Sequence, residues 1–131
     1  MVLERGPTYQ SIANPQNSIS KDATIRQKDP KEVMGLEVKC PTPGTHLRFL
    51  ELGIIPGDYQ AQIAHYFIVV PNLDTVAYLS YDDRFIDEGA QVKIKLVSRA
   101  EHQPVIEKYT RFIHNYENWL EPILGNYKGV F

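Results

Sequence analysis

The run DDRFIDEG at residues 82–89 holds a dense group of side chains that could do chemistry. Its carboxylates are Asp82, Asp83, Asp87 and Glu88, and calcium and magnesium prefer oxygen ligands of this kind. Two of them could instead serve as a general acid and base. The run lacks the D-x-D-x-D-G order and the distant glutamate of a helix-loop-helix calcium site. A charged connection between two strands is the simpler interpretation, and a cation or acid–base site is the alternative.

The histidines and the single cysteine show no spacing typical of a metal or nucleophile site. His46, His65, His102 and His114 form no HxxxH pair, and none stands beside Cys40. We expect His65 to be a core histidine with one hydrogen-bond partner, and Cys40 to be a small buried side chain. The motifs G-x-S-x-G, G-x-x-x-x-G-K-[ST] and G-x-G-x-x-G are all absent. The sequence therefore predicts no enzyme, no cofactor and no metal.

The middle of the chain contains four stretches that predict strands: LEVKC (36–40), QAQIAHYFIVV (60–70), TVAYLSY (75–81) and QVKIKLV (91–97). The first and last alternate apolar with charged residues, which is typical of half-exposed strands. The second and third are rich in β-branched and aromatic residues, and Pro71 and Asn72 between them suit a tight turn. We predict that these two form a hairpin.

An amphipathic helix is predicted at residues 104–121. Ser98 and Glu101 have the spacing of a capping box, but a helix from there would enclose Pro104, so we expect the later start. The helix period defines what we call the apolar stripe, formed by Val105, Tyr109, Phe112, Ile113, Tyr116, Trp119 and Leu120. We expect this stripe to pack as core against the sheet, and a partner surface is the alternative.

The predicted fold class is α+β, with a small antiparallel β-sheet or partial barrel of four to five strands and one C-terminal amphipathic helix packed on it. Residues 1–33 are too polar to order themselves cheaply and predict an extended N-terminal arm. Residues 34–131 would form a single α+β domain. The isolated apolar residues of the arm and of the C-terminus are candidate contacts with other subunits: Tyr9, Ile12, Ile19, Ile25, Tyr127, Val130 and Phe131.

The stretch RFLELGIIPGD at residues 48–58 resembles the R-x-L-x-x-L-G-L-x-P-G pattern of small ferrous-iron-transport accessory domains and the C-terminal domains of iron-dependent repressors. That resemblance implies an SH3-like barrel that binds a protein partner. In physical terms the stretch predicts a short helix at 46–52, ended by Gly53 in a left-handed conformation, and then a Pro56–Gly57 turn that begins a strand. We interpret the resemblance as shared local geometry.

The polar arm, the apolar C-terminal residues and the absence of catalytic motifs together predict a non-enzymatic role in an assembly. The net charge of −2 gives no general attraction to nucleic acid or to an anionic membrane. The N-terminal residues lack the apolar core of a signal peptide, so a cytoplasmic or virion protein is expected. We predict a subunit of a large complex, such as a capsid, neck or tail component of a phage or virus particle, with other protein subunits as partners in a homo-oligomer or a hetero-assembly. The alternatives are an SH3-like adaptor and a small enzyme or metal-binding protein that uses residues 82–88.

Overall fold

The computed structural model describes the backbone of residues 2–5, 8–10, 18–20, 23–26 and 33–127, and the side chains of residues 34–127. The strands are β1 (Val2–Arg5), β2 (Thr8–Gln10), β3 (Ser18–Ser20), β4 (Ala23–Arg26), β5 (Val33–Lys39), β6 (Thr75–Tyr81) and β7 (Val92–Ser98). The helices are α1 (Pro43–Leu52), α2 (Gly57–Val69), α3 (Glu88–Gln91) and α4 (Arg99–Gly125).

The main sheet has the strand order β1-β4-β5-β6-β7, while β2 and β3 pair with each other. Strands β5 and β6 are parallel, with Glu37 opposite Tyr78, and the other neighbours in the main sheet are antiparallel. The α+β class and the C-terminal helix are confirmed. The purely antiparallel sheet is wrong, because α1 and α2 carry the chain across the sheet before β6 begins, and such a crossover produces a parallel pair.

The N-terminal strand β4 is joined to this sheet by backbone pairing with β5, in the register Ala23 to Leu36. Strand β1 extends the sheet by pairing with β4. The division of the chain into an arm at residues 1–33 and a domain at 34–131 stays a prediction.

Helix α2 replaces the predicted first strand of the hairpin. Pro56 stands immediately before the first helical residue and Asp58 lies in the first turn, where a negative charge favours the helix dipole. The helix buries Ile63, Tyr66 and Phe67 on the side that faces the sheet and α4. The Pro56–Gly57 pair therefore begins a helix and not a strand, and the predicted hairpin is wrong. The turn at Pro71 and the strand at Thr75–Tyr81 are confirmed.

Strand β7 turns its lysines inward. The Lys93 ammonium donates to the carbonyl oxygens of Phe49 and Leu50, at 3.2 and 2.9 Å, and the Lys95 ammonium donates to Gly53 at 2.9 Å. These carbonyls belong to the C-terminal end of α1, where Gly53 adopts a φ of 65° as predicted. Cations are favourable there because the helix dipole is negative at that end. The apolar residues of β7 consequently lie on the opposite, exposed face of the sheet: Val92, Ile94 and Leu96.

Helix α4 begins earlier than predicted. Ser98 is its N-cap and accepts a hydrogen bond from the Glu101 backbone at 3.2 Å, so the helix starts there and Pro104 lies inside it. Arg99 secures this start by donating to the carbonyl oxygens of Leu73 and Val70, at 3.0 and 2.8 Å.

The core lies between the sheet, α2 and the first half of α4. Its α4 members are Ile106 and the half-buried Val105 and Tyr109. Further along, Phe112 is 62% exposed and Trp119 is 61% exposed. The prediction that the apolar stripe packs as core is therefore confirmed for Val105 and Tyr109 and wrong for the C-terminal part of the stripe. Among the residues that the structure describes, none of the helices combines the length and the apolar character that a membrane span requires.

The two halves of α4 should respond differently to truncation. Ile106→Ala leaves a cavity in the core and should lower the free energy of unfolding by about 2 to 4 kcal/mol. Trp119→Ala removes a larger but exposed side chain and should lower the free energy of unfolding by less than about 1 kcal/mol. Chemical denaturation of both variants measures the difference. An equal or larger loss for Trp119→Ala would contradict the packing of α4 described above.

Candidate functional site

A buried carboxylate lies near the carboxyl end of the central strand β5. Glu37 is only 1% exposed, and it is held by two charge-assisted contacts. One of its oxygens accepts a hydrogen bond from the Tyr66 hydroxyl on α2, and the other lies 2.6 Å from the Lys39 ammonium. A buried ionised carboxylate is tolerated only when it is paired and hydrogen-bonded in this way. Because a carboxylate has about four acceptor positions, Glu37 retains capacity for a further partner.

Lys39 connects this carboxylate to the surface. It lies on the same face of β5 as Glu37, since residues two apart on a strand point the same way. Its ammonium also lies 5.1 Å from the ring centre of Tyr59, at the start of α2, which is a cation–π distance. Lys39 and Tyr59 are both half-buried, so they form the solvent edge of the site.

Tyr78 completes the group on the neighbouring strand β6. It pairs with Glu37 in the parallel register, and its ring lies 5.9 Å from that of Tyr59 and edge-on to Phe49 at 5.0 Å. The side chain is fully buried, and its hydroxyl has no hydrogen-bond partner among the described residues. Burial raises the pKa of Tyr78 to about 12; the nearby Ser80 hydroxyl opposes this rise, while Tyr59 and the negative charge of Glu37 add to it. We call Glu37, Lys39, Tyr59, Tyr66 and Tyr78 the Glu37 cluster.

A buried histidine network supports the strand beside this cluster. His46 on α1 donates from Nε2 to the carbonyl oxygen of Ala90, at 2.7 Å. In a neutral imidazole its Nδ1 then accepts from the Ser80 hydroxyl on β6, also at 2.7 Å. These two bonds join α1, β6 and α3, and both polar side chains are completely buried. His46 is therefore a structural residue, and His102 similarly donates to the carbonyl oxygen of Gln60.

The acidic run at residues 82–88 separates into individual contacts. Asp82 accepts hydrogen bonds from the backbone and the guanidinium of Arg84, which hold the pKa of Asp82 below its usual range. Asp87 caps α3 by accepting from the Gly89 backbone at 2.9 Å. Asp83 and Glu88 are exposed. Among the described residues, no three histidine, cysteine, aspartate or glutamate side chains come together as a metal site.

The other predicted site residues are dispersed. Cys40 is exposed, so the expectation of a small buried side chain is wrong. His65 is half-buried on α2, and not on a strand. Of the candidate subunit contacts, Tyr127 is 52% exposed just after α4. The side chains of Tyr9, Ile19 and Ile25, and the whole of Ile12, Val130 and Phe131, lie outside the described residues. Their role in subunit contacts stays a prediction.

Sequence reasoning did not select Glu37 or Lys39. Both appeared in LEVKC as the charged positions of a half-exposed strand, which suggested solvent exposure. The sequence does show that Glu37 and Lys39 share one face near the end of a strand. This pattern indicates a buried site only when a helix is known to cover that face. Glu37 was missed because the covering helix was predicted as a strand.

The fold and site define an α+β protein with a buried Glu-x-Lys pair on the central strand of a mixed sheet. Residues 4–76 match the YqaJ-like viral recombinase domain, and these residues are more than half of the chain. The chain therefore belongs to the YqaJ-like viral recombinase family. A search of curated proteins found no sequence match.

Two solved structures share the fold: the alkaline exonuclease LHK-Exo from Laribacter hongkongensis, and LHK-Exo in complex with dAMP. Each has a TM-score of 0.64 and 16% sequence identity, and each match covers 95% of this chain and 63% of the other. This chain thus spans less than two thirds of the length of LHK-Exo. At this level of identity the likeness shows the fold.

These findings correct the functional expectations. The predicted capsid, neck or tail subunit is wrong, because the family is one of viral recombinases. The expectations of no enzyme and of no nucleic-acid partner are wrong for the same reason, since recombinases are enzymes that act on nucleic acid. Net charge was a poor guide, because an active site is determined by a few local groups and not by the total charge.

The raised pKa of Tyr78 predicts a loss of stability at alkaline pH. The folded state holds the phenol proton more tightly than the unfolded chain does. The stabilisation of the folded state that results is fully present below pH 10, the ordinary tyrosine pKa, and is lost as the pH rises through about 12. The loss amounts to about 2 to 3 kcal/mol at most. Chemical denaturation at pH 9 and at pH 12 measures this loss. Between the two pH values the free energy of unfolding should decrease less for Tyr78→Phe than for the wild type. An identical decrease would contradict the assignment.

Proposed function

We propose that this chain is the nuclease part of a viral recombination enzyme and that it hydrolyses phosphodiester bonds of DNA at the Glu37 cluster. The observation that carries the proposal is the buried Glu37 carboxylate, held by Tyr66 and Lys39 near the end of the central strand. Family membership supports a role in recombination. The shared fold with an alkaline exonuclease, whose complex contains a deoxynucleotide, supports DNA as the substrate.

The donor chemistry of Glu37 fits magnesium. This ion binds through one or two carboxylates together with substrate phosphates, and the carboxylate oxygens of Glu37 retain unused acceptor positions. When bound, such an ion polarises a phosphoryl oxygen and lowers the pKa of its bound water. Tyr66 fixes the orientation of the carboxylate by donating to it. The site would therefore be held in place by the core packing of α2.

Lys39 would contribute charge to the reaction. Its ammonium has three donor hydrogens, and the contact with Glu37 uses one of them. The remaining donors can contact a phosphate oxygen and stabilise the negative charge that develops there. In the hydrolysis, water adds to phosphorus while the bond from phosphorus to the leaving sugar oxygen breaks and that oxygen takes up a proton. The products are a nucleotide and a shortened strand, so the reaction requires no redox partner.

Glu37→Gln tests this function directly. The amide preserves the shape and can still accept from Tyr66, but it removes the charge that would hold a cation. We expect the release of nucleotides from linear duplex DNA in magnesium to decrease by about a hundredfold or more. Circular dichroism and thermal unfolding would confirm that the variant is folded.

The matched control is Glu51→Gln, which alters an exposed glutamate on α1 and should leave the rate unchanged. A wild-type protein without DNA hydrolysis would contradict the proposal. Equal rates for wild type and Glu37→Gln would also contradict it.

A second carboxylate is suggested by the strand register. Asp22 lies outside the described residues, but in sequence it directly precedes Ala23, and Ala23 pairs with Leu36, which directly precedes Glu37. We choose Asp22 on this basis as the candidate second ligand. Asp22→Asn should lower the hydrolysis rate about tenfold or more and raise the magnesium concentration needed for half-maximal activity. Asp83→Asn, at an exposed position, is the control, and a magnesium dependence equal to that of the wild type would exclude Asp22.

A further inference from the structure

The Tyr78 hydroxyl is the one buried side-chain polar atom without a hydrogen-bond partner in the part of the chain whose side chains are described. Its ring is well packed, edge-on to Phe49 and beside Tyr59. Phenylalanine would satisfy the same packing without burying an unpaired hydroxyl, which is unfavourable in a protein interior. A group of this kind therefore requires an explanation beyond the fold.

The position of Tyr78 explains why the unpaired hydroxyl is present. Tyr78 stands in register with Glu37 on the adjacent parallel strand, so both side chains emerge on the face of the sheet that α2 covers. Tyr66 and Lys39 satisfy Glu37. The Ser80 hydroxyl lies near Tyr78 but is bonded to His46, and the Tyr78 hydroxyl forms no hydrogen bond with a described residue. The Glu37 cluster therefore contains one donor that is held rigidly and not used. Tyr59 and Lys39, both half-buried, separate the cluster from solvent.

We propose that the Tyr78 hydroxyl is a substrate-binding donor that hydrogen-bonds an oxygen of the DNA phosphate held at Glu37 and Lys39. This inference rests on the proposed nuclease function. A phosphate oxygen accepts hydrogen bonds and carries charge, and a bond between a neutral donor and a charged acceptor is stronger than one between neutral groups. Lys39 supplies charge as a compact ammonium group, while the packed Tyr78 ring supplies a fixed direction. The two residues together would orient the phosphate.

Tyr78→Phe tests the role because it keeps the ring and removes only the hydroxyl. If the hydroxyl binds phosphate, kcat for DNA hydrolysis should fall about tenfold or more, while the thermal midpoint stays equal or rises. The affinity for dAMP in the presence of magnesium should fall by a similar factor. Tyr81→Phe is the control, since Tyr81 lies on the same strand but on the opposite, partly exposed face.

The outcomes separate this inference from the proposed function. If the wild type hydrolyses DNA and Tyr78→Phe is equally active, Tyr78 is only a packing residue and the inference is overturned. If the wild type hydrolyses no DNA but binds dAMP, the proposed nuclease function is wrong. In that case a dAMP affinity of Tyr78→Phe about tenfold or more below that of the wild type supports the inference, and an equal affinity overturns it. If the wild type neither hydrolyses DNA nor binds dAMP, both are overturned.

Discussion

The hydrogen bond from Tyr66 to Glu37 is the interaction on which the rest of the site depends. A carboxylate on the inner face of a sheet is destabilising unless its oxygens are satisfied, and a hydrogen bond to a charged group typically contributes about 1.5 to 3 kcal/mol. Helix α2 must therefore lie where Tyr66 reaches β5. The crossover from β5 through α1 and α2 to β6 produces this placement, and it makes β5 and β6 parallel. The parallel register in turn brings Tyr78 beside Glu37.

The same inner face of the sheet also holds α1 in position. In the register of β6 and β7, Lys95 pairs with Tyr78 and Lys93 pairs with Ser80. The two lysines bind the carbonyl end of α1, while Ser80 binds His46 in the first turns of that helix. Polar groups thus fix both ends of α1 against the sheet. Positioning by hydrogen bonds is directional, so α1 is fixed on this face more specifically than apolar packing alone would fix it.

Much of the secondary structure was predictable because it depends on local signals. Gly53 ended a helix as expected, and the strand at Thr75–Tyr81 was assigned with its observed bounds. Helix α2 was not, because Tyr66 to Val70 is rich in residues that favour strands, although Tyr59, Ile63, Tyr66 and Phe67 also follow the helix period. Two periods fitted the same stretch, and tertiary packing selected the helix.

The site was less predictable than the fold, for a related reason. Alternation in LEVKC establishes that Glu37 and Lys39 share a face, but it does not establish which face is covered. The usual assumption that charged residues face solvent assigned the wrong face to Glu37, and β7 shows the same inversion, with exposed Ile94 and Leu96 opposite inward lysines. The deciding partner, Tyr66, lies 29 residues further along the chain. Only tertiary structure brings it to Glu37.

The composition of the Glu37 cluster separates stability from function. A buried ion pair is often no more stabilising than apolar side chains of the same volume, and the unpaired Tyr78 hydroxyl lowers stability outright. An interior optimised for folding alone would have no reason to keep Glu37, Lys39 and the Tyr78 hydroxyl together. Elsewhere among the side chains of residues 34–127 the buried polar groups are satisfied, as His46 and Ser80 show. Within that part of the chain the unfavourable groups lie in one place, between β5, β6 and α2, and local departures of this kind concentrate at functional sites.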